Sequence, residues 1–190
     1  MGSEIAAFDK KENYFACIDS LSILKMYDLK TGIEKFSVHT NHFAKITSIS
    51  FNPQKNIIAT ASIDGLIKLW NEDTGDLLSG IAIIGKNDFV YVNADNYYFS
   101  SKGASRGIGF KVDDKILPFE QFDIINNRPD IVLKDLDFSS KEKIECYHQA
   151  YLKRMKKMNF STDEKMADYS LPEIEILNKK EIPLTTESSI

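Results

Sequence analysis

A mainly β fold built from stacked four-stranded sheets is predicted by three observations on this 190-residue sequence. Two segments repeat each other without a gap at a spacing of 43. Phe8 matches Phe51, Asn13 matches Asn56, Ala16 matches Ala59, Lys25 matches Lys68, Tyr27 matches Trp70, and Thr31-Gly32 matches Thr74-Gly75. A period in the low forties corresponds to one four-stranded unit per repeat, arranged radially as in a β-propeller. Short apolar runs separated by turns at near-regular intervals are the second observation. The third is a switch to helical spacing after residue 126. A single sheet of this kind cannot bury both faces, so the units must stack. The prediction is a partial propeller of two to three blades, then a helical segment, then a C-terminal strand.

The elements follow in order. Tyr14-Phe-Ala-Cys-Ile and Ile57-Ile-Ala-Thr-Ala are short apolar strands in equivalent places. Ile23-Leu-Lys-Met-Tyr and Leu66-Ile-Lys-Leu-Trp follow them, each with a lysine at its centre. Asp28-Leu-Lys-Thr-Gly and Asn71-Glu-Asp-Thr-Gly close as turns, with glycine supplying positive φ. Residues 1–38 form the first, degenerate repeat and 39–80 the second. Residues 81–125 continue less regularly, with strands expected at Asp88–Asn93, Asn96–Ser100 and Ile108–Val112. Val92 to Phe110 spans 18 residues where Phe51 to Trp70 spans 19, so 81–125 is read as a third, atypical closing unit.

Residues 126–168 read as a helical linker. Asn127-Arg-Pro-Asp opens a short helix, with Pro129 tolerated in its first turn. Ser139-Ser-Lys-Glu142 fits a capping box ahead of an amphipathic helix over 140–158. Ile144, Tyr147, Tyr151, Leu152, Met155 and Met158 form its apolar stripe. Lys153, Arg154, Lys156 and Lys157 complement its C-terminal dipole. Ser161–Ser170 is a polar loop, and residues 169–190 begin a truncated β segment, with Glu173–Leu177 as a strand lacking a sheet. An uncovered face on the first blade and this unpaired strand predict self-association or dependence on a partner.

Composition is that of an ordinary globular protein, 43% hydrophobic and 27% charged. The net charge of -4 argues against a nucleic-acid partner, because affinity for a polyanion comes from Lys and Arg. Cys17 and Cys146 form no disulfide framework or CxxC pair, as expected of reduced thiols in the cytoplasm. No signal peptide or membrane-length apolar run is visible. Ala6 stands where a myristoylation motif wants Ser or Thr, and the sequon Asn159-Phe-Ser has meaning only after secretion. No cofactor, metal or membrane is expected.

His42, Ile46-Thr-Ser-Ile-Ser-Phe-Asn-Pro and Ile57-Ile-Ala-Thr-Ala-Ser-Ile-Asp-Gly-Leu-Ile-Lys-Leu-Trp-Asn closely resemble the WD-repeat β-propeller family. The resemblance implies a buried hydrogen-bonded chain of His42, Thr60, Asp64 and Trp70. The chemistry agrees: the indole N–H needs an acceptor when buried, a hydroxyl relays it to imidazole, and a carboxylate accepts the other imidazole proton. The first repeat departs from this pattern, with Tyr27 in place of Trp and Leu21 where Asp64 stands. Residues 88–133, through Asn96-Tyr-Tyr-Phe-Ser-Ser-Lys-Gly, Ile108-Gly-Phe, Pro118-Phe-Glu-Gln-Phe-Asp and Asn127-Arg-Pro-Asp-Ile-Val-Leu, look like the propeller-closing segment of large bacterial WD-repeat proteins. Such proteins can carry a caspase-like peptidase domain.

Other constellations read as structure. His42, Thr60 and Asp64 could be drawn as a catalytic triad, but their spacing to Trp70 accounts for all three. Cys146 and His148 sit two apart on a helix, about 200° around it, and do not face each other. Gly103-Ala-Ser-Arg-Gly-Ile-Gly lacks the Lys-Ser/Thr of a phosphate loop. No catalytic, cofactor-binding or metal residue is assigned. The function expected is a non-enzymatic protein-interaction scaffold. The alternative is a fragment of a multidomain bacterial WD-repeat, caspase-like peptidase protein whose catalytic domain is absent from this chain.

Overall fold

The structure is a computed structural model that describes residues 5–104, 109–112, 115–118 and 122–159. The first repeat forms one antiparallel sheet, β1 (Ile5–Phe8), β2 (Tyr14–Ile18), β3 (Ile23–Asp28) and β4 (Glu34–His39), in sequential order. The second forms β5 (Ile46–Phe51), β6 (Ile57–Ser62), β7 (Leu66–Asn71) and β8 (Leu77–Ile84) in the same way. The 43-residue period extends to irregularities. A register shift falls between Met26 and Tyr27 in one blade and between Leu69 and Trp70 in the other. The turns match as well: Asp28 Oδ1 accepts from the amides of Lys30 and Thr31, and Asn71 Oδ1 from those of Asp73 and Thr74. Gly32 and Gly75 follow at φ +71° and +78°.

The blades stack through a buried cluster of Ala16, Ile18, Leu24 and Met26 from the first and Ile46, Ile49, Ile58 and Trp70 from the second. Leu24, Met26 and Ile58 are fully buried, each contributing about 1.5–3 kcal/mol of transfer free energy. Inner strands β1 and β5 lie side by side. Below them, Lys35 Nζ reaches Asp73 Oδ1 at 2.8 Å, tying one blade to the turn of the next.

The expected third unit is not a separate sheet over its first half. The strands β9 (Asp88–Val92) and β10 (Tyr98–Ser100) pair onto β8, so the second sheet has six strands in the order β10-β9-β8-β7-β6-β5. The eight-residue β8 makes this possible. It pairs with β7 over Leu77–Ala82 and with β9 over Gly80–Ile84. A hairpin of β11 (Gly109–Val112) and β12 (Lys115–Pro118) stands apart; the second of these strands was not anticipated.

Helices follow. The first, α1 (Asp123–Asn126), was not foreseen; α2 (Pro129–Asp135) starts with Pro129 at its first turn, as its sequence predicts. The long α3 (Lys141–Met158) is capped one residue later than expected. Ser140, not Ser139, is the N-cap, accepting from Lys143 N, and Asn159 ends the helix at φ +60°. Tyr151 and Met155 of its stripe are buried, while Met158 is 49% exposed. The expected Ser161–Ser170 loop, the Glu173–Leu177 strand and all of 160–168 lie outside the described residues, as do residues 105–107 of the 101–107 link. Among the described residues no helix is long and apolar enough to cross a membrane.

The helical segment covers the face of the second blade that points away from the first. Val132 and Leu136 pack on Ile57, Leu69 and Ile81 in a second buried cluster. Polar ties hold α2 there. Asn93 Nδ2 donates to Asp135 Oδ2 at 2.9 Å, Arg128 N to Tyr98 O at 3.0 Å, and Lys55 Nζ bonds Asp137.

Candidate functional site

The structure brings His42, Thr60, Asp64 and Trp70 together. Trp70 Nε1 donates to Thr60 Oγ1 at 3.0 Å across β6 and β7. His42, on the loop between β4 and β5, places Nε2 3.0 Å from the same hydroxyl and Nδ1 2.9 Å from Asp64 Oδ2. The carboxylate only accepts, so Nδ1 carries a proton; a neutral ring then accepts from Thr60, which accepts from Trp70. The His42 side chain is 0% and the Asp64 side chain 7% exposed.

Both oxygens of Asp64 are occupied. Leu66 N donates to Oδ1 at 2.9 Å, and Phe43 N to Oδ2 at 3.0 Å. Burial pushes the Asp64 carboxyl up, but the amide of Leu66, the His42 ring and the amide of Phe43 outweigh it, so the group sits below its usual range. The site therefore ties an incoming loop, a turn and two strands into one unit. Its side-chain hydrogen bonds run among the four residues and to the amides of Phe43 and Leu66.

Lys68 belongs to this unit and was not singled out from the sequence. It is 9% exposed, and its Nζ donates to Thr40 O at 2.7 Å and Asn41 O at 2.8 Å. Burial lowers its pKa, opposed by the charge of Asp64. Thr40 is anchored in turn, its hydroxyl donating to Ser22 O at 2.9 Å. The repeated lysine at position 25 was the available signal. There the chemistry differs: Lys25 pairs with Asp19 at 3.2 Å. Asp19 also accepts from Leu21 N and Ile23 N, taking over the turn-closing work that Leu21 cannot do.

A cleft of about 270 Å³ opens beside the chain, lined by Ile5, Ile18, Asp19, Ser22, Phe43 and Ile46 among others. Large apolar side chains stand out in its lining or next to it: Phe43 of the lining is 91% exposed, Leu21, between the lining residues Ser20 and Ser22, 67%, and Ile63, whose N–H donates to the carbonyl of the lining residue Lys45, 69%. A second polar cluster pins α3. Asp130, 4% exposed, takes Arg128 Nε and Nη2 at 2.9 and 2.8 Å and His148 Nδ1 at 2.9 Å. The Arg128 guanidinium lies 3.8 Å over the Tyr151 ring. His148 is thus committed to Asp130, and Cys146 is exposed on the same helix, in line with their failure to face each other. Arg154, from the basic run, donates to Ile124 O and Asn127 O. Among the described residues no cluster of His, Cys, Asp and Glu has the makings of a metal site.

Comparison with known proteins bears on the stacked blades. Residues 33–71, which hold all four members of the chain, match the family "WD domain, G-beta repeat". The WD40 repeat-containing protein smu1 of Dictyostelium discoideum is 34% identical over 67 residues, 34% of this chain and 12% of that protein. The nuclear distribution protein PAC1 of Coprinopsis cinerea is 49% identical over 39 residues, 20% of this chain and 9% of that protein. The aligned stretch is thus about a tenth of the length of either relative. Among solved structures, the computationally designed Ika8 protein is 26% identical, with 52% of this chain and 32% of that one covered at a TM-score of 0.35. The Cps50 (Swd1) β-propeller domain of Myceliophteria thermophila is 16% identical, with 52% and 35% covered at 0.38. Likenesses at these scores add nothing to the strand order given above. The relatives matched by sequence are eukaryotic, not bacterial. Residues 33–71 are thus similar to a WD-type G-beta repeat, and the stretch matched in the WD40 repeat-containing protein smu1 is similar in the same way.

Proposed function

We propose that this chain is a non-catalytic protein–protein interaction scaffold that works through the rim and faces of its stacked blades. The observation that carries this reading is the exposed apolar rim of Leu21, Phe43 and Ile63. Large apolar groups gathered on a soluble surface mark places where another protein sits. Beside them, His42, Thr60, Asp64 and Trp70 spend their hydrogen-bonding capacity on one another and on nearby amides. They hold the rim loop in place and leave nothing to perform chemistry.

The test compares proteins that co-purify with the wild-type chain and with Phe43→Glu and Leu21→Glu. Both positions are exposed, so the variants should melt like the wild type while losing a bound protein. Identical sets of bound proteins would overturn the rim as the contact surface. A hydrolytic activity that vanished in Asp64→Asn while thermal stability was retained would overturn the non-catalytic reading.

A further inference from the structure

We propose that the cleft at the joint of the two blades docks a partner protein through a peptide segment that pairs a large aliphatic residue with an adjacent Asp or Glu. This rests on the scaffold reading and deepens it by naming the chemistry that one part of the surface selects.

The cleft lies between two blades that are both described. Its walls come from the start of β1, the turn between β2 and β3, and the loop between β4 and β5. Its floor is the end of the core that joins the blades. Ile18 and Ile46 line it, belong to that core and are 3% and 4% exposed, and Ile5 packs against the same cluster. An apolar side chain laid there extends an existing core. The volume is about 270 Å³, below the ~300–1,000 Å³ of most small-molecule sites, which suits one or two residues of a peptide.

The loop from β4 to β5 is fastened from both sides. Toward the first blade, Thr40 N and Oγ1 both donate to Ser22 O, at 3.0 and 2.9 Å. Toward the second, Ser62 Oγ donates to Ala44 O and Ile63 N to Lys45 O, each at 3.1 Å, and Phe43 N donates to Asp64. A backbone held this way has little freedom left to lose when a ligand arrives. Its side chains are the reverse. Phe43 is 91% exposed. Among the described residues no hydrogen bond or ion pair engages the side chains of Lys45, Ser20 or Ser22.

Charge selects the occupant. Asp19 Oδ1 accepts from Leu21 N and Ile23 N, and Oδ2 lies 3.2 Å from Lys25 Nζ. His42 is committed to Asp64 and Thr60. The carboxylate of the lining is therefore neutralised, while its lysine is not. An ammonium and two hydroxyl donors remain beside an apolar floor, and their complement is a carboxylate next to an aliphatic side chain. A lone lysine is a compact point charge and matches one carboxylate better than the double charge of a phosphate. Leu21 on the turn of the first blade and Ile63 on that of the second stand next to the cleft, 67% and 69% exposed. A protein that lays one segment in the cleft covers both, which makes the occupant part of a larger partner surface.

The test titrates the isotope-labelled full chain with pools of capped hexapeptides and follows its amide resonances. In each pool the central pair is fixed and the other positions are mixtures of Gly, Ala and Ser. Pools fixed as Glu-Leu or Leu-Glu should shift the amides of Ser20–Ser22 and Phe43–Ile46. Exchanging Leu for Ser should weaken binding about tenfold or more, the worth of burying an aliphatic side chain. Lys45→Ala should weaken the Glu pools about threefold to fivefold, the worth of an exposed ion pair, and leave Gln-Leu pools unchanged. Lys45→Glu should turn the preference toward Lys-Leu pools. Lys45 is exposed and its side chain unbonded, so both variants should melt like the wild type. Absence of shifts at these amides, or equal binding of Glu-Leu and Lys-Leu pools by the wild type, overturns the proposal. The chain itself contains Glu173-Ile-Glu-Ile-Leu. If Ile174→Ser with Ile176→Ser moves the cleft amides in the absence of peptide, the occupant is the chain's own segment, which also overturns it. Leu21 lies outside the lining, so Leu21→Glu should keep peptide binding while losing proteins held at the rim, and the two proposals fail separately.

Discussion

Thr60→Val perturbs the buried chain with little change of shape, because valine replaces a hydroxyl by a methyl group. That hydroxyl accepts from Trp70 Nε1 and lies 3.0 Å from His42 Nε2. Its removal leaves two ring nitrogens facing hydrocarbon at a position that is 0% exposed. A buried polar group stripped of its partner costs about 1–3 kcal/mol, so the two together should cost roughly 2–6 kcal/mol. Thr60→Ser keeps the oxygen and should lose only about 1 kcal/mol for the missing methyl. Urea melts followed by circular dichroism and by the emission of Trp70, the one tryptophan, should show a lower midpoint with an unchanged slope. Trp70→Phe in the Thr60→Val background should cost less than the sum of the single changes, since one orphaned donor disappears with the indole. A Thr60→Val midpoint within about 0.5 kcal/mol of wild type, or strictly additive energies, would refute the chain as a source of stability.

Three further expectations follow from the geometry. The Asp64 carboxyl titrates below its unfolded value near 4, so the stability it supplies is present above that pH and is lost as the pH falls through the folded value. Asp64→Asn should be less stable at neutral pH and show a shallower acid limb in thermal melts; an unchanged acid limb would contradict this. Gly75→Ala should be clearly worse than Gly32→Ala, because both incur left-handed strain of about 1–2 kcal/mol but only the first drives a methyl into Phe36. Equal losses in denaturant melts would mean that the blades do not press together there. Amide exchange should be slowest in α3 around Tyr151 and Met155, and Asp130→Ala should speed it by releasing Arg128 and His148; an unaffected helix would show that the ion cluster does not hold it.

The repeat was the most legible feature because it encodes register. The same spacing that aligns Phe8 with Phe51 also aligns the two register shifts and the two glycine turns. The four-membered chain was legible through residue chemistry, since a buried indole, hydroxyl, imidazole and carboxylate can satisfy one another in sequence. Lys68 was missed because a lysine at a strand centre normally reads as solvent-facing; only the carbonyls of Thr40 and Asn41, set by a loop, make it an interior group. The six-stranded second sheet was missed because Asp88–Val92 has the same local pattern whether it starts a blade or extends one. The capping role of the helices was hidden for a related reason. Val132 and Leu136 announce a helix with one apolar side, but nothing local says that the side lies on Leu69 and Ile81, more than fifty residues earlier.

That separation matters while the chain is being made. The second blade is complete once β8 has emerged, yet the helix that covers its far side is translated about fifty residues later. At ~5–20 residues per second, this leaves an interval of roughly 3–10 s in which Ile57, Leu69 and Ile81 have no lid. Nascent chains on neighbouring ribosomes would meet through that surface. Slower translation across residues 85–136 should therefore lower the soluble yield without altering the finished protein.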